Sequence, residues 1–179
     1  MTEEEFRALA DLIHENLREI PDYPEEGVLF RDITPLLANG PAFAKVIHAI
    51  AKVYKGKVDA VVGLESRGFI LAAPLAIELG VGMVMIRKAG KLPPPVIGVD
   101  YALEYGTARM EVRPDTIHKG ERILIIDDVL ATGGTAKASI DLVERSGGEV
   151  IGLVMLMELL GLNGRARLDG YDVQAMLVY

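Results

Sequence analysis

Ile123-Leu-Ile-Ile-Asp-Asp-Val-Leu-Ala-Thr-Gly-Gly-Thr135 is the stretch on which the fold turns. Its first four residues are apolar and, except for Leu124, β-branched. That run is too continuous for a half-exposed alternating strand and reads as a buried one. Asp127 and Asp128 follow at its end. A short loop then leads into Gly133-Gly-Thr135, which opens a helical pattern through Ala136, Ala138, Ile140, Leu142 and Val143. A strand, a loop of small residues and a helix N-terminus together make an anion cradle. Backbone N–H groups point outward there, and the helix dipole adds roughly half a positive charge. Glycine lets the main chain approach the anion closely, and Thr132 and Thr135 bring hydroxyl donors. The two aspartates would repel a bare phosphate and suit neighbouring sugar hydroxyls instead. A ligand carrying both a phosphate and a ribose satisfies the whole motif.

Other phosphate loops fit less well. A nucleoside triphosphate loop needs G-x-x-x-x-G-K-[ST], but here two residues separate Gly134 from Lys137. A dinucleotide fingerprint needs G-x-G-x-x-G after a strand, and no segment supplies one. Ala131-Thr-Gly-Gly-Thr135 alone would also suit a plain strand–turn–helix corner; the preceding Asp-Asp weighs against that.

The apolar strand, Asp-Asp and A-T-G-G-T together resemble the phosphoribosyl diphosphate (PRPP) signature of the type I phosphoribosyltransferases. Further segments narrow the resemblance to the adenine phosphoribosyltransferases. These are Pro21-Asp-Tyr-Pro-Glu-Glu-Gly-Val-Leu-Phe-Arg-Asp-Ile-Thr-Pro35, Gly63-Leu-Glu-Ser-Arg-Gly-Phe69, Ile86-Arg-Lys-Ala-Gly-Lys-Leu-Pro93 and Tyr101-Ala-Leu-Glu-Tyr-Gly106. The resemblance runs, in order and with similar gaps, from about residue 21 to about residue 165.

Composition agrees with an α/β enzyme. The 179 residues suffice for one domain with a substantial core. Half are hydrophobic, only 6% are aromatic and Trp is absent, as suits an aliphatic sheet covered by helices. A net charge of −7 argues against a general nucleic-acid or membrane-surface binder. Without Cys there is no disulfide framework, thiolate metal site or cysteine nucleophile. The acidic start, Met-Thr-Glu-Glu-Glu-Phe, does not read as a secretory or transit signal. No apolar run reaches the roughly 18–20 residues of a membrane span. The expectation is a cytoplasmic protein.

Phe6, Leu9, Ala10, Ile13 and Leu17 predict an amphipathic helix ending before Pro21. Residues 21–40, punctuated by Pro and Gly, are expected to lie outside the sheet. Pro41 suits the first turn of a helix reaching about Tyr54. Strands are predicted at Val58–Gly63, Gly82–Ile86, Val150–Met157 and Val173–Val178. Between them fall a helix at Phe69–Leu79 closed by Gly80, the signature helix to Arg145, and loop or short helix over Gly161–Gly170. Val99–Tyr105 and Ala108–Val112 read as a hairpin around Gly106. This alternation implies an α/β fold with a mainly parallel central sheet flanked by helices. The resemblance adds a division of one phosphoribosyltransferase domain: an N-terminal helix and base-binding arm over about 1–40, and a β-hairpin lid over about 91–109. In open α/β sheets ligands bind beyond the carboxyl ends of strands. Glu65-Ser-Arg67, Arg87-Lys88 and Asp127-Asp128 all follow predicted strands, so they are expected to converge on one site.

The resemblance implies transfer of the phosphoribosyl group from PRPP to adenine, giving AMP and pyrophosphate in purine salvage. It assigns Ala131, Thr132, Gly133, Gly134 and Thr135 to the 5′-phosphate, and Asp127 and Asp128 to the ribose hydroxyls. Side chains alternate along a strand, so both aspartates reach the sugar only if the chain turns there. The pyrophosphate needs cations, and Arg67, Arg87, Lys88 and Lys91, with backbone N–H groups around Ser66, are the candidates. Mg²⁺ is implied as a substrate-chelated ion without direct protein ligands. Glu104 matches the family's catalytic glutamate, which handles the purine proton. By spacing alone it is a carboxylate on a polar strand face. Phe30 is implied to stack on adenine, backbone groups of Leu29 and Arg31 to read its edge, and Leu159 to cover its other face. By type alone, Phe30 and Leu159 would be ordinary core residues.

Gly90, Gly98 and Gly106 supply hinges for the lid. The chain departs from the family's K-L-P-G or K-L-P-R with Lys91-Leu-Pro-Pro-Pro95, which stiffens the lid's entry. His14, His48 and His118 have no metal-ligand spacing and read as surface or cap residues. A homodimer is expected, since relatives are commonly homodimers. The alternatives are a phosphoribosyltransferase for another purine base and a non-catalytic PRPP-sensing regulator. The Val28-Leu-Phe-Arg31 match argues against the first. The lack of a basic DNA-binding domain argues against the second.

Overall fold

Thr2 starts the first helix with a reciprocal cap. Its hydroxyl accepts the Glu5 N–H at 3.1 Å, and the Glu5 carboxylate accepts the Thr2 N–H at 2.8 Å. The computed structural model describes residues 2–102 and 106–179, which divide into two units, Met1–Val53 and Tyr54–Tyr179.

The first unit opens with α1, Glu3–Glu15, whose Leu9 and Ile13 are buried. The apolar pattern predicts one more turn, through Leu17. Instead Asn16 closes the helix, its side-chain amide donating to the Leu12 carbonyl at 2.8 Å, and Arg18–Ile20 becomes a short strand, β1. It pairs antiparallel with β2, Phe30–Asp32, in a separate two-stranded sheet. Three-residue strands carry too little alternation to be read from sequence. As expected, residues 21–40 contribute nothing to the main sheet, but they contain β2 and the short helix α2, Thr34–Ala38. Helix α3, Gly40–Tyr54, carries Pro41 in its first turn. Within this unit Lys52 bridges to Glu5 at 2.9 Å, and the Asn39 amide donates to Asn16 at 2.8 Å.

The second unit is the α/β body. Its strands are β3 Ala60–Leu64, β4 Gly82–Lys88, β5 Ile97–Ala102, β6 Thr107–Val112, β7 Arg122–Leu130, β8 Glu149–Glu158 and β9 Val173–Val178. They form one sheet in the order β5-β6-β4-β3-β7-β8-β9. β4, β3, β7, β8 and β9 run parallel, and the β5–β6 hairpin joins β4 antiparallel through Arg87↔Glu111 and Lys88↔Met110. The fold is therefore the mainly parallel one the alternation implies.

Every residue of β3 is buried, as expected of a strand covered on both faces. Alternation along β7 splits its apolar run. Ile123 and Ile125 join a core cluster with Ala136, Ala138 and Ile140 of helix α5, Gly134–Arg145. Leu124 and Ile126 face the other side, where helix α4, Arg67–Leu79, packs on β3 and β7. Gly63 permits that close packing: a Cβ there would stand 2.8 Å from Ala72 Cβ and 3.0 Å from the Gly68 carbonyl oxygen. Gly80 ends α4 in the left-handed conformation, φ +73°. Two 3₁₀ turns, Leu160–Leu162 and Gly164–Leu168, fill the predicted loop between β8 and β9.

Candidate active site

The signature strand runs further than its apolar core. β7 continues through both aspartates to Leu130, with Asp127 opposite Met155 and Val129 opposite Met157. The chain makes no turn at the carboxylates, yet the two side chains remain close enough to act on each other and on Arg67. Asp127 lines a cleft of about 350 Å³, its open mouth included, together with Ala131–Thr135. Asp128 is not part of the cleft lining and is buried, with its Oδ2 2.5 Å from Arg67 Nε in an ion pair poorly aligned for a hydrogen bond.

The cleft is built by the loop. Gly133 caps α5 with φ +77°, a conformation that favours glycine, and its carbonyl accepts the Lys137 N–H at 2.9 Å. Gly134 leaves room for the Tyr101 ring, which a Cβ would meet at 3.0 Å. The Tyr101 and Thr135 hydroxyls lie 3.3 Å apart, so β5 of the hairpin touches the helix start.

Asp127 has a raised proton affinity. Burial, then the neighbouring Asp128 carboxylate, raises its pKa well above the ordinary 3.8, although the Asp128 N–H donates to its Oδ1 at 2.9 Å. One face of Asp127 reaches the cleft while its carboxyl stays poorly hydrated. A ligand that brings donors or positive charge opposes this upward shift.

A second cluster lies at the ends of β3 and β4. Ser66 precedes α4, and the Glu65–Ser66 peptide is cis. Glu65 draws the two strand ends together: its carboxylate accepts the Lys88 N–H at 2.7 Å and the Arg87 guanidinium at 3.1 Å. Burial alone would raise the Glu65 pKa, but these donors outweigh it and the net shift is downward. Arg87 also donates to the Lys91 carbonyl at 3.3 Å and lies 5.8 Å from the Phe69 ring centroid. Its Nε is buried with no hydrogen-bond partner among the described residues. Ser66–Arg67 and Arg87–Lys91 thus follow adjacent parallel strands, and Arg67 reaches across to the end of β7.

Several features were not anticipated. Glu65 lies inside a quoted motif, yet its role depends on partners 22 and 23 residues away. The Pro93–Pro95 run is held from the far end of β6, where Arg113 donates to the Pro93 and Pro94 carbonyls at 3.1 Å each. Leu159 follows β8 and donates its N–H to the Leu130 carbonyl at 2.9 Å, beside the phosphate loop. Leu29, Phe30 and Arg31 belong to the first unit, where Phe30 meets Tyr23 edge-on with centroids 5.2 Å apart. Glu104 lies outside the described residues. His14, His48 and His118 are exposed, and among the described residues no three His, Asp or Glu side chains gather as a metal site.

Comparison with known proteins agrees with this geometry. The model of the phosphoribosyl transferase domain matches residues 32–175. An adenine phosphoribosyltransferase of Acidothermus cellulolyticus is 49% identical over 170 residues, covering 94% of this chain and 96% of the relative. The chain belongs to the adenine phosphoribosyltransferase family. Solved structures of the family share its fold. The crystal structure of adenine phosphoribosyltransferase from Thermoanaerobacter pseudethanolicus has a TM-score of 0.90 at 46% identity, covering 95% of this chain and 99% of that one. The Saccharomyces cerevisiae adenine phosphoribosyltransferase, crystallised with adenine and an imino-altritol bisphosphate, also scores 0.90, at 38% identity, with 96% and 99% covered. In this adenine phosphoribosyltransferase chain the signature loop and its helix lie at the carboxyl edge of the sheet, where α/β folds bind ligands.

Proposed function

We propose that this protein transfers the 5-phosphoribosyl group of PRPP to adenine, forming AMP and pyrophosphate. The observation that carries the reading is the cleft of Ala131–Thr135 with Asp127 on its wall: anion donors and a sugar-directed carboxyl in one pocket. Loop N–H groups and the Thr132 and Thr135 hydroxyls hold the 5′-phosphate. Asp127 takes ribose hydroxyls, and Asp128, through Arg67, ties the sugar end to the pyrophosphate end. Ser66, Arg67, Arg87, Lys88 and Lys91 receive the pyrophosphate, and the Arg87 Nε, which has no hydrogen-bond partner among the described residues, supports an anion in reach.

In the reaction the C1–O bond to pyrophosphate breaks and a C1–N9 bond to adenine forms. The N9 proton leaves to a base, for which the family resemblance supplies Glu104. The cations stabilise the departing charge, and the arm residues Leu29, Phe30 and Arg31, with Leu159, align adenine. Mg²⁺ would enter as a substrate-chelated ion with no direct protein ligand, its oxygen donors, which a hard cation prefers, coming from the substrate. When bound, it neutralises charge on the pyrophosphate. Residues 91–109 act as the lid that excludes water.

The protein acts as a single phosphoribosyltransferase domain, in the cytoplasm and as a homodimer. Supporting the last point, Ile70 and Ile77, one face of α4, and Met85 on β4 are exposed apolar side chains. No described helix is long and apolar enough to cross a membrane.

The test is AMP formation from labelled adenine with PRPP and Mg²⁺, with hypoxanthine and guanine in parallel. Adenine-dependent release of pyrophosphate is expected. Turnover of another base instead would reassign the substrate, and PRPP binding without turnover of any base would make the protein a sensor. Near-normal turnover by Glu104→Gln would remove Glu104 from the mechanism.

A further inference from the structure

Behind the phosphate loop lies a buried charge that the reaction does not use. Glu158, the last residue of β8, is only 3% exposed. Arg165 closes a fork on it, Nε donating to both carboxylate oxygens at 3.0 Å and Nη2 to Oε2 at 2.5 Å. Its Nη1 donates to the Val173 carbonyl at 2.7 Å, at the start of β9. A carboxylate taken out of water is costly unless so paired. The pair therefore holds the 3₁₀ segment Gly164–Leu168 firmly against the ends of two strands.

The residue next to Arg165 is Gly164, delivered by Asn163 in the left-handed conformation, φ +49°. Gly164 lies directly against the loop. A Cβ on it would fall on the Ala131 carbonyl oxygen and stand 2.8 Å from the Gly133 nitrogen. Reciprocally, a Cβ on Gly133 would fall on the Gly164 carbonyl oxygen, 3.0 Å from its carbon. Two stretches of bare backbone are in contact, and the Leu159 N–H to Leu130 carbonyl bond stitches the same segment to the end of β7. The loop that would bind phosphate through its N–H groups is thus shaped from behind by a surface that bears no side chain.

We propose that Gly164, fixed by the Arg165–Glu158 pair, is a positioning element for the 5′-phosphate, setting the direction of the N–H groups of residues 131–135. The proposal rests on the reading of that loop as the 5′-phosphate site. It assigns Gly164, Arg165 and Glu158 no contact with substrate. Its signature is selective: ligands held by their 5′-phosphate should suffer, and pyrophosphate, held at the ends of β3 and β4, should not.

Calorimetric binding of ribose 5-phosphate and of Mg²⁺-pyrophosphate to the full-length protein tests this with Gly164→Ala, Arg165→Met, Arg165→Lys and Thr135→Val. Gly164→Ala and Arg165→Met should weaken ribose 5-phosphate about tenfold or more and change pyrophosphate less than about threefold, as when one or two charge-assisted bonds to an anion are misdirected. Arg165→Lys, keeping the charge but not the fork, should fall between them and the parent. Should Arg165→Met not fold, Gly164→Ala and Arg165→Lys carry the comparison. Equal loss of both ligands, or unaltered ribose 5-phosphate binding, in folded variants overturns the proposal. If Thr135→Val also leaves ribose 5-phosphate binding intact, the loop itself is not the phosphate site. If Thr135→Val weakens it while the other variants do not, the positioning role alone falls.

Discussion

Replacing Asp127 by Asn should make the ligand-free protein more stable near neutral pH while weakening its hold on PRPP. Burial and the adjacent Asp128 raise the folded-state pKa of Asp127 well above 3.8. Below pH 3.8 both folded and unfolded chains keep the proton. Above it the unfolded chain releases the proton first, while the folded chain retains it. The folded state then binds more protons, so this residue lowers stability as pH rises, until the folded carboxyl also ionises. One proton corresponds to at most about 1.4 kcal/mol per pH unit. From pH 5 to pH 7 the gain of the variant over the parent can therefore grow by up to about 2.7 kcal/mol, or about 5–10 °C in melting temperature for a chain of this size. Asparagine is a fair probe because its Oδ1 can still accept the Asp128 N–H, now at 2.9 Å. The assay is thermal or urea unfolding of both proteins at pH 5, 6 and 7 without PRPP or Mg²⁺. With pH 4 added to the series, a variant-minus-parent difference that stays flat from pH 4 upward would refute the raised pKa. The KM for PRPP should rise in the same variant, because the amide is a weaker acceptor for ribose hydroxyls than a carboxylate.

Three other substitutions probe separate parts of the site. Gly68→Ala places a Cβ 2.8 Å from the Ile126 carbonyl oxygen and 3.0 Å from Asp127 Oδ1. Lifting the start of α4 off β7 should cost about 1–3 kcal/mol, seen as a lower melting temperature, and should weaken pyrophosphate binding by moving Ser66 and Arg67. Glu65→Gln removes the charge that gathers the Lys88 N–H and Arg87; the KM for PRPP should rise by the equivalent of about 1–2 kcal/mol, measured by initial rates at saturating adenine. Because the Glu65 pKa lies below the ordinary 4.5, this contribution is fully present above that pH and fades only as pH falls further. Phe30→Ala should raise the KM for adenine more than that for PRPP, and the opposite pattern in steady-state kinetics would refute a stacking role.

What the sequence determined by itself was whatever depends on neighbours along the chain. The continuous apolar run Ile123–Ile126 reads as a buried strand, and Gly133-Gly134 after it as a turn into a helix start. Gly80 closing α4 and Pro41 opening α3 are equally local, since a backbone conformation is decided within a few residues. The order of strands and helices, and so the mainly parallel sheet, follows from the same short-range periodicities. The tertiary structure alone decided how charges are partnered. Asp127 and Asp128 are adjacent in sequence, but only Asp127 lines the cleft while Asp128 is buried and paired with Arg67. Glu65 acquires its role because β3 and β4 end side by side, and Glu158 because a 3₁₀ turn brings Arg165 back to it. The β1–β2 hairpin was hidden for a related reason: its strands are too short to show a period and are stabilised by pairing across the loop between them. Electrostatic and backbone contacts depend on distance in space, and only the folded chain fixes those distances.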